Sequence, residues 1–352
     1  MHIVTVSTIK DTVDNIQEFV DLNITSGVNH LFIFLDGGND AAVEHFKANP
    51  YVTCINADDR YWNNDRPQNL NGRQSINATT VNFLLSILNF RCWLFHIDGD
   101  ECLSIDVEKL NTLPSNIDYV RLMPMESVAD SQQTPKNKID YFKRLLTDEE
   151  LSLLTLLHKI DSPSNKKYYK GHIAGKVGLI PEFRSNLRIH NAEFLSSKKA
   201  FKSPWLSHLH FDSLSLEGFH EKWIKNSQFN TTARVREDRA LVRDAMFCLS
   251  RNKTLDSSRK SELIKKIYLD HIQDDKKLLM ELGLLKARHQ AKDISTPLNG
   301  RDVDIIRNIL AITIRLNANK RIFTLMDFKP REKLVSNIHK ESSKQGINVA
   351  YK

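Results

Sequence analysis

Over its first 125 residues the chain alternates β-branched apolar runs with amphipathic helical stretches, and this alternation restricts the possible folds most. His2–Val6 is a compact β-branched run. After Asp11, a plausible N-cap, Val13, Ile16, Val20 and Ile24 recur on one helical face, and Gly27 is a natural stop. A second apolar run, His30–Leu35, ends in Asp36-Gly37-Gly38 and is followed by a short acidic helix and a third run at Val52–Ile55. The pattern predicts a helix over Ser75–Asn89, with Ile76, Thr80, Phe83, Leu84, Ile87 and Leu88 along one side. Trp93–Ile97 and Tyr119–Met123 read as further strands. Strands alternating with helices imply a largely parallel sheet covered on both faces. The expected class is therefore α/β, with a Rossmann-like, mixed, mainly parallel sheet flanked by helices.

Beyond residue 125 the signals change. Residues 131–170 read as an insertion, polar at both ends and enclosing an amphipathic helix at Asp148–Ile160. Residues 171–210 return to mixed strand and loop. From Leu216 the chain reads as mainly helical, with breaks near 250–260 and at Ser295–Gly300. The expected division is a catalytic domain over 1–225 and a helical C-terminal extension over 226–352.

Charge is unevenly spread. The net charge is +7, yet residues 211–352 hold 28 Lys and Arg against 18 Asp and Glu, so the basic excess lies there. Such a face suits anionic headgroups or an acidic acceptor, and equally a solvated set of helices. Aromatic residues interleaved with basic ones, the mark of common sheet-type RNA binders, do not occur, so nucleic acid is not an expected partner. The four cysteines, Cys54, Cys92, Cys102 and Cys248, show no CxxC pair. Free thiols in apolar stretches favour a reducing compartment. The opening MHIVTVSTIK reads as a strand and not a secretory leader. No run of about 18 apolar residues suggests a membrane span. The expected location is cytoplasmic, with room for peripheral contact at the inner membrane face.

The sharpest chemical signal is Trp93-Leu94-Phe95-His96-Ile97-Asp98-Gly99-Asp100-Glu101. An apolar strand delivers two carboxylates to its carboxyl end, where ligands bind in open α/β sheets. Hard ions such as Mg²⁺ or Mn²⁺ prefer carboxylate oxygens and can neutralise a departing diphosphate. His208 and His210 stand two apart on an extended segment, and one imidazole could complete such a site. Asp36, closing its own apolar run, could accept hydrogen bonds from a nucleobase or ribose, or simply start the Asp-Gly-Gly turn. Arg73 and Lys176 are candidate phosphate partners or surface charges.

These elements resemble, in order and spacing over about residues 1–225, bacterial family-2-like glycosyltransferases of the GT-A type, especially those related to family 92. The resemblance rests on the opening HIVTVSTIKD, the stretch NIQEFVDLNITSGVNHLFIFLD, the pair Arg73-Gln74 and the segment WLFHIDGDECL. It continues through Gly175-Lys176, His190-Asn191, the His210-Phe211 pair with Ser215, and EGFHEKW. It implies Asp100 as a direct metal ligand, Asp98 on the metal or the ribose, and His210 as third ligand in preference to His208. It also implies that Asp36 and the backbone near Ser7 hold the nucleobase, with Arg73 near the diphosphate or ribose. Gly99 and Cys102 depart from the group's usual bulkier and aromatic residues, and MPMESVAD at 123–130 departs from its aromatic-rich pattern.

The implied activity is inverting, Mn²⁺- or Mg²⁺-dependent transfer from a nucleotide sugar, a UDP-sugar favoured, to a glycan or glycolipid acceptor in surface polysaccharide or lipopolysaccharide synthesis. An acceptor hydroxyl then needs a base. Glu126, after the strand that follows the acidic motif, is the first candidate, with Asp130 and Glu182 as alternatives. Glu101 could instead orient the site. A Mg²⁺-dependent nucleotidyltransferase is the competing enzyme class, but the first strand leads into Ser7-Thr8-Ile9-Lys10, without the glycine-rich loop expected there. A non-catalytic binding protein is the third reading.

Overall fold

The computed structural model describes residues 1–130, 134–212, 214–228, 237–291, 294–344 and 346–347; Ser213, inside the His210–Ser215 stretch, lies outside them. Chain order begins β1 (His2–Ile9), α1 (Val13–Thr25), β2 (His30–Asp36), α2 (Asp40–Phe46), β3 (Val52–Ala57), α3 (Asp59–Trp62), α4 (Leu70–Ile87) and β4 (Cys92–His96). It continues β5 (Glu101–Ile105), α5 (Val107–Asn111), β6 (Tyr119–Ser127), β7 (Tyr141–Lys143), α6 (Asp148–Leu156), α7 (Asn165–Tyr168), β8 (Lys176–Leu179), β9 (Ser185–Leu187), β10 (Ala192–Phe194) and β11 (Phe201–His210). It ends α8 (Leu216–Gln228), α9 (Glu237–Arg251), α10 (Ser257–His271), α11 (Lys276–Glu281), β12 (Leu285–Ala287), α12 (Gly300–Leu316) and α13 (Lys329–Ser343).

The chain forms two compact units, each built from separated segments. The first holds Met1–Met123, Gly175–His208 and His289–Lys352; the second holds Pro124–Ala174 and Leu209–Arg288. Residues 226–352, drawn from sequence as one extension, are mainly helical but are shared between the units at Arg288.

In the first unit β1 pairs in parallel with β2 and β4, and β2 with β3, while β8 runs antiparallel to β4 and β6. The sheet is thus mixed and mainly parallel, as the alternation predicts. Side chains on a strand alternate faces. On β2, Leu31, Ile33 and Leu35 pack with Ile16, Phe19 and Val20 of α1 on one face. Phe32 and Phe34 pack with Ile76, Phe83 and Leu84 of α4 on the other. Each such side chain taken from water stabilises the fold by roughly 1.5–3 kcal/mol.

Two local readings are corrected. The N-cap of α1 is Thr12, which accepts from Asn15 N, while Asp11 bonds Thr12 N and the Asn15 side chain. Helix α4 starts five residues before the predicted Ser75, capped by Asn69 on Gly72 N. It is also buried nearly all round instead of along one side, because β1 lies against it and so do β9 and α12. Its polar residues are therefore bonded inward: Asn77 to Thr8 Oγ1, Thr79 to Leu187 O, and Asn82 to Glu182 O and Ser185 O.

In the second unit Glu126 and Ser127 of β6 pair antiparallel with β7, and β7 with β12. Helices α8, α9 and α10 enclose Phe219, Trp223, Met246, Ile264 and Tyr268. Helix α6, with a capping box between Thr147 and Glu150, packs Leu151 and Leu154 against Tyr168, Tyr169 and Leu279. No helix among the described residues is long and apolar enough to cross a membrane. All four cysteines are free, and burial pushes the Cys54 thiol up to about 12.

Candidate functional site

In the first unit the apolar β4 ends and the chain turns through Asp98, Gly99 and Asp100, all half-buried, before β5 begins at Glu101. Close packing selects the small residue here, since a Cβ on Gly99 would lie 3.1–3.3 Å from the Ile9 side chain. The turn is braced. Glu101, 5% exposed, accepts from Asp98 N at 2.9 Å and lies 3.3 Å from the Lys176 ammonium and 3.4 Å from His208 Nε2. Asp98 accepts from Gln74 Nε2 at 2.6 Å through one oxygen and from Lys176 Nζ through the other. Burial opposes the charge on Lys176, but Asp98 and Glu101 outweigh it and raise its pKa. Behind this turn, burial, with Lys176 adding to it, lowers His96 to about 4; His190 is lowered for the same two reasons. His190 Nδ1 lies 2.8 Å from Gly175 O.

The structure thus brings Asp98, Gln74, Lys176 and Glu101 together. Lys176, a candidate phosphate partner, is 1% exposed and serves the carboxylates. Asp36 and Arg73 hold each other: Arg73 donates from Nε and Nη2 to the two Asp36 oxygens, each at 2.8 Å, and Arg66 adds a third bond at 2.9 Å. Burial opposes ionisation of Asp36, and the two guanidiniums overcome it and lower its pKa. Ser7 is buried at 1% in β1. His208 belongs to the first unit with Asp98 and Asp100, whereas His210 belongs to the second.

In the second unit, ligand atoms of Glu126, His210 and Asp212 lie within 4.8 Å of one another, the one such group of His, Cys, Asp or Glu among the described residues. Glu126, 1% exposed, accepts from Lys170 N at 2.7 Å and from Gly171 N, and its Oε2 lies 3.8 Å from His210 Nδ1. Lys143, fully buried, reaches Glu126 and Asp274 at 2.9 Å each. Asp212 is paired with Lys222 at 2.6 Å and Arg239 at 2.9 Å. Burial alone would raise the Glu126 pKa, but Lys143 and His210 hold it down to about 2. Burial likewise opposes the charge on Asp212, yet Lys222 and Arg239 hold it well below the usual carboxylate range. Glu126 and Asp274 are thus paired with Lys143, and Asp212 with Lys222 and Arg239. Glu126 is a poor proton acceptor in this setting, because a base needs a pKa near the working pH. Its place beside His210 would let it orient the ring. Backing of an imidazole by a carboxylate is the usual support for a metal-binding histidine.

Lys143, Asp274, Gly171, Lys222 and Arg239 escaped sequence reasoning. One signal was present: Asp212 stands two residues after His210. The others are distant in sequence and carry no recognisable spacing.

A scan against protein-family models finds no match to this chain, and a search of curated proteins finds none either.

Proposed function

We propose that the chain is an inverting, divalent-metal-dependent glycosyltransferase that moves a sugar from a nucleotide sugar, a UDP-sugar favoured, to a glycan or glycolipid acceptor. The observation that supports it best is the half-exposed Asp98-Gly99-Asp100 turn at the carboxyl end of a strand in a mainly parallel sheet. Ligands of α/β sheets bind at such ends. Carboxylate oxygens suit Mn²⁺ or Mg²⁺, so the donor set fits. The bound ion would offset the charge on the departing diphosphate.

The chain's own residues divide the work. Both Asp98 oxygens already accept bonds, from Gln74 and Lys176, so this side chain is fixed and suits a ribose or outer contact. Asp100, next in the same turn, is the direct ligand that the resemblance implies. His210 belongs to the second unit, where Glu126 Oε2 lies 3.8 Å from its ring nitrogen. Glu101 keeps the turn in shape by bonding Asp98 N. Asp36 is a shared acceptor for Arg73 and Arg66; Arg73 also donates to Pro67 O and Gln68 O, so the 34%-exposed Arg66 is the guanidinium that would meet the nucleotide.

Calorimetric titration of UDP, GDP and CMP, with Mn²⁺ and with EDTA, tests the reading. Binding of one nucleotide that needs the metal and falls at least tenfold in Asp100→Ala is the expected result. No nucleotide binding under any condition overturns it. Release of pyrophosphate from a nucleoside triphosphate, without sugar transfer, would favour a nucleotidyltransferase instead.

A further inference from the structure

The basic excess of residues 211–352 is answered locally in some helices and left open in another. On α10, Arg259 pairs with Glu262 and Lys266 with Asp270, and on α11 Lys277 pairs with Glu281. On α13, by contrast, the exposed Lys329, Lys333 and Lys340 have no ion pair among the described residues. The carboxylates of that segment are engaged elsewhere. Asp327 accepts from Lys329 N, Glu332 lies 3.5 Å from Arg184, and Glu341 pairs with Arg315 at 3.0 Å and with Lys344 at 3.1 Å.

Helix geometry puts these lysines in one line. With 3.6 residues per turn, Lys329, Lys333, Lys340 and the following Lys344 fall within about 60° of one another, along about 22 Å of axis. Buried Leu334, Val335 and Ile338 take the opposite side and join the core of the first unit. The stripe therefore points away from the fold, and the apolar side of the helix is already used. Just before the helix, Leu325 is 49% exposed and Met326 37%.

We propose that α13 docks the protein on an anionic bilayer, with the lysine stripe along the headgroups and Leu325 and Met326 reaching the layer beneath them. A straight line of unanswered cations matches a surface of anionic headgroups, and each lysine near such a surface strengthens binding about fivefold. A soluble polyanion such as nucleic acid would meet the cations but leave the leucine and methionine in water. The stretch from Lys329 to Lys344 also carries no Phe, Tyr or Trp on which a base could stack. The inference needs no donor chemistry at the Asp98 turn, so it stands or falls separately from the nucleotide titration above.

Co-sedimentation of the full chain with vesicles of phosphatidylcholine, pure or mixed with phosphatidylglycerol, tests it. Binding should need the anionic lipid and weaken as salt is raised. The triple variant Lys329→Gln/Lys333→Gln/Lys340→Gln should bind about a hundredfold more weakly, and Leu325→Ser about fivefold more weakly. Removing three charges from other exposed sites, in Lys253→Gln/Lys265→Gln/Lys276→Gln, should weaken binding less than about threefold, and both triple variants should melt as the parent does. No binding to the mixed vesicles, equal binding to pure phosphatidylcholine, or equal losses in the two triple variants would each overturn the proposal. Binding of single-stranded DNA without binding of vesicles would overturn it as well.

Discussion

Lys143→Met offers a direct test of the charge balance around His210. Lys143 is fully buried and is bonded at 2.9 Å to both Glu126 and Asp274. Methionine keeps the length and apolar stem but removes the cation. Breaking a buried ion pair from one side costs about 3–5 kcal/mol, because the remaining charge is left uncompensated. A second route gives a similar size. Glu126 falls from 4.5 to about 2 on folding, and a shift of that size corresponds to roughly 3 kcal/mol at neutral pH. The sign follows from a depressed carboxylate pKa: this stability is fully present above pH 4.5 and is lost as pH falls from 4.5 towards 2. In the variant, burial acts on Glu126 without Lys143 and raises its pKa, so acid relieves the strain instead of adding to it. The gap between the two proteins should therefore be widest at pH 7 and shrink at pH 4. Urea unfolding followed by pulsed hydrogen exchange, read on peptides covering 124–130 and 141–146, isolates this unit. The double variant Glu126→Gln/Lys143→Met should recover at least half the loss. A gap under about 1 kcal/mol at pH 7, or one that does not narrow in acid, would refute the balance described here.

Two further outcomes concern single residues. Gly171→Ala would place a Cβ 2.2 Å from His210 Nδ1 and 2.8 Å from Glu126 Oε2, so it should destabilise by about 1–3 kcal/mol in urea and shift the His210 ring signals by NMR. Arg331→Met removes a buried guanidinium that donates to Ile322 O, Phe183 O, Ser185 O and Asn186 Oδ1, and should lower stability by at least about 2 kcal/mol in a thermal melt.

The parts of the fold that follow from local physics were legible in the sequence. β2 could be read because each of its faces meets helices, so every position from Leu31 to Leu35 had to be apolar. The start of α4 could not, because Leu70-Asn71-Gly72 reads as a turn. Gly72 is accepted there since Asn69 Oδ1 bonds its N–H and leaves only 2.9 Å for a Cβ. The Asp98–Glu101 turn was legible because strand and acids are consecutive. The Lys143 bridge was not: its carboxylates stand 17 residues before it and 131 after it, and Lys143 lies in a stretch that reads as a polar insertion. Buried charge is rare and paired at long range, so no local pattern announces it.

Exposure separates the acidic groups by what they can do. Asp98 is 28% exposed on its side chain and Glu126 only 1%, though both carboxylates are fully bonded. A carboxylate that meets a nucleotide or an ion must give up part of its hydration at modest cost, and a half-exposed group has already done so while keeping a path to the ligand. Glu126 has no such path. Its bonds to Lys143, Lys170 N and Gly171 N fill it, and ligand binding through it would first have to break a charge-assisted bond inside the core. Of its side-chain partners, Lys143 is fully buried and His210, 14% exposed, reaches outward. On the metal-dependent reading proposed above, Glu126→Gln, which keeps the shape, should alter the His210 ring signals and the affinity for Mn²⁺ before it alters any proton-transfer step, whereas a base at this position would lose rate at unchanged metal affinity.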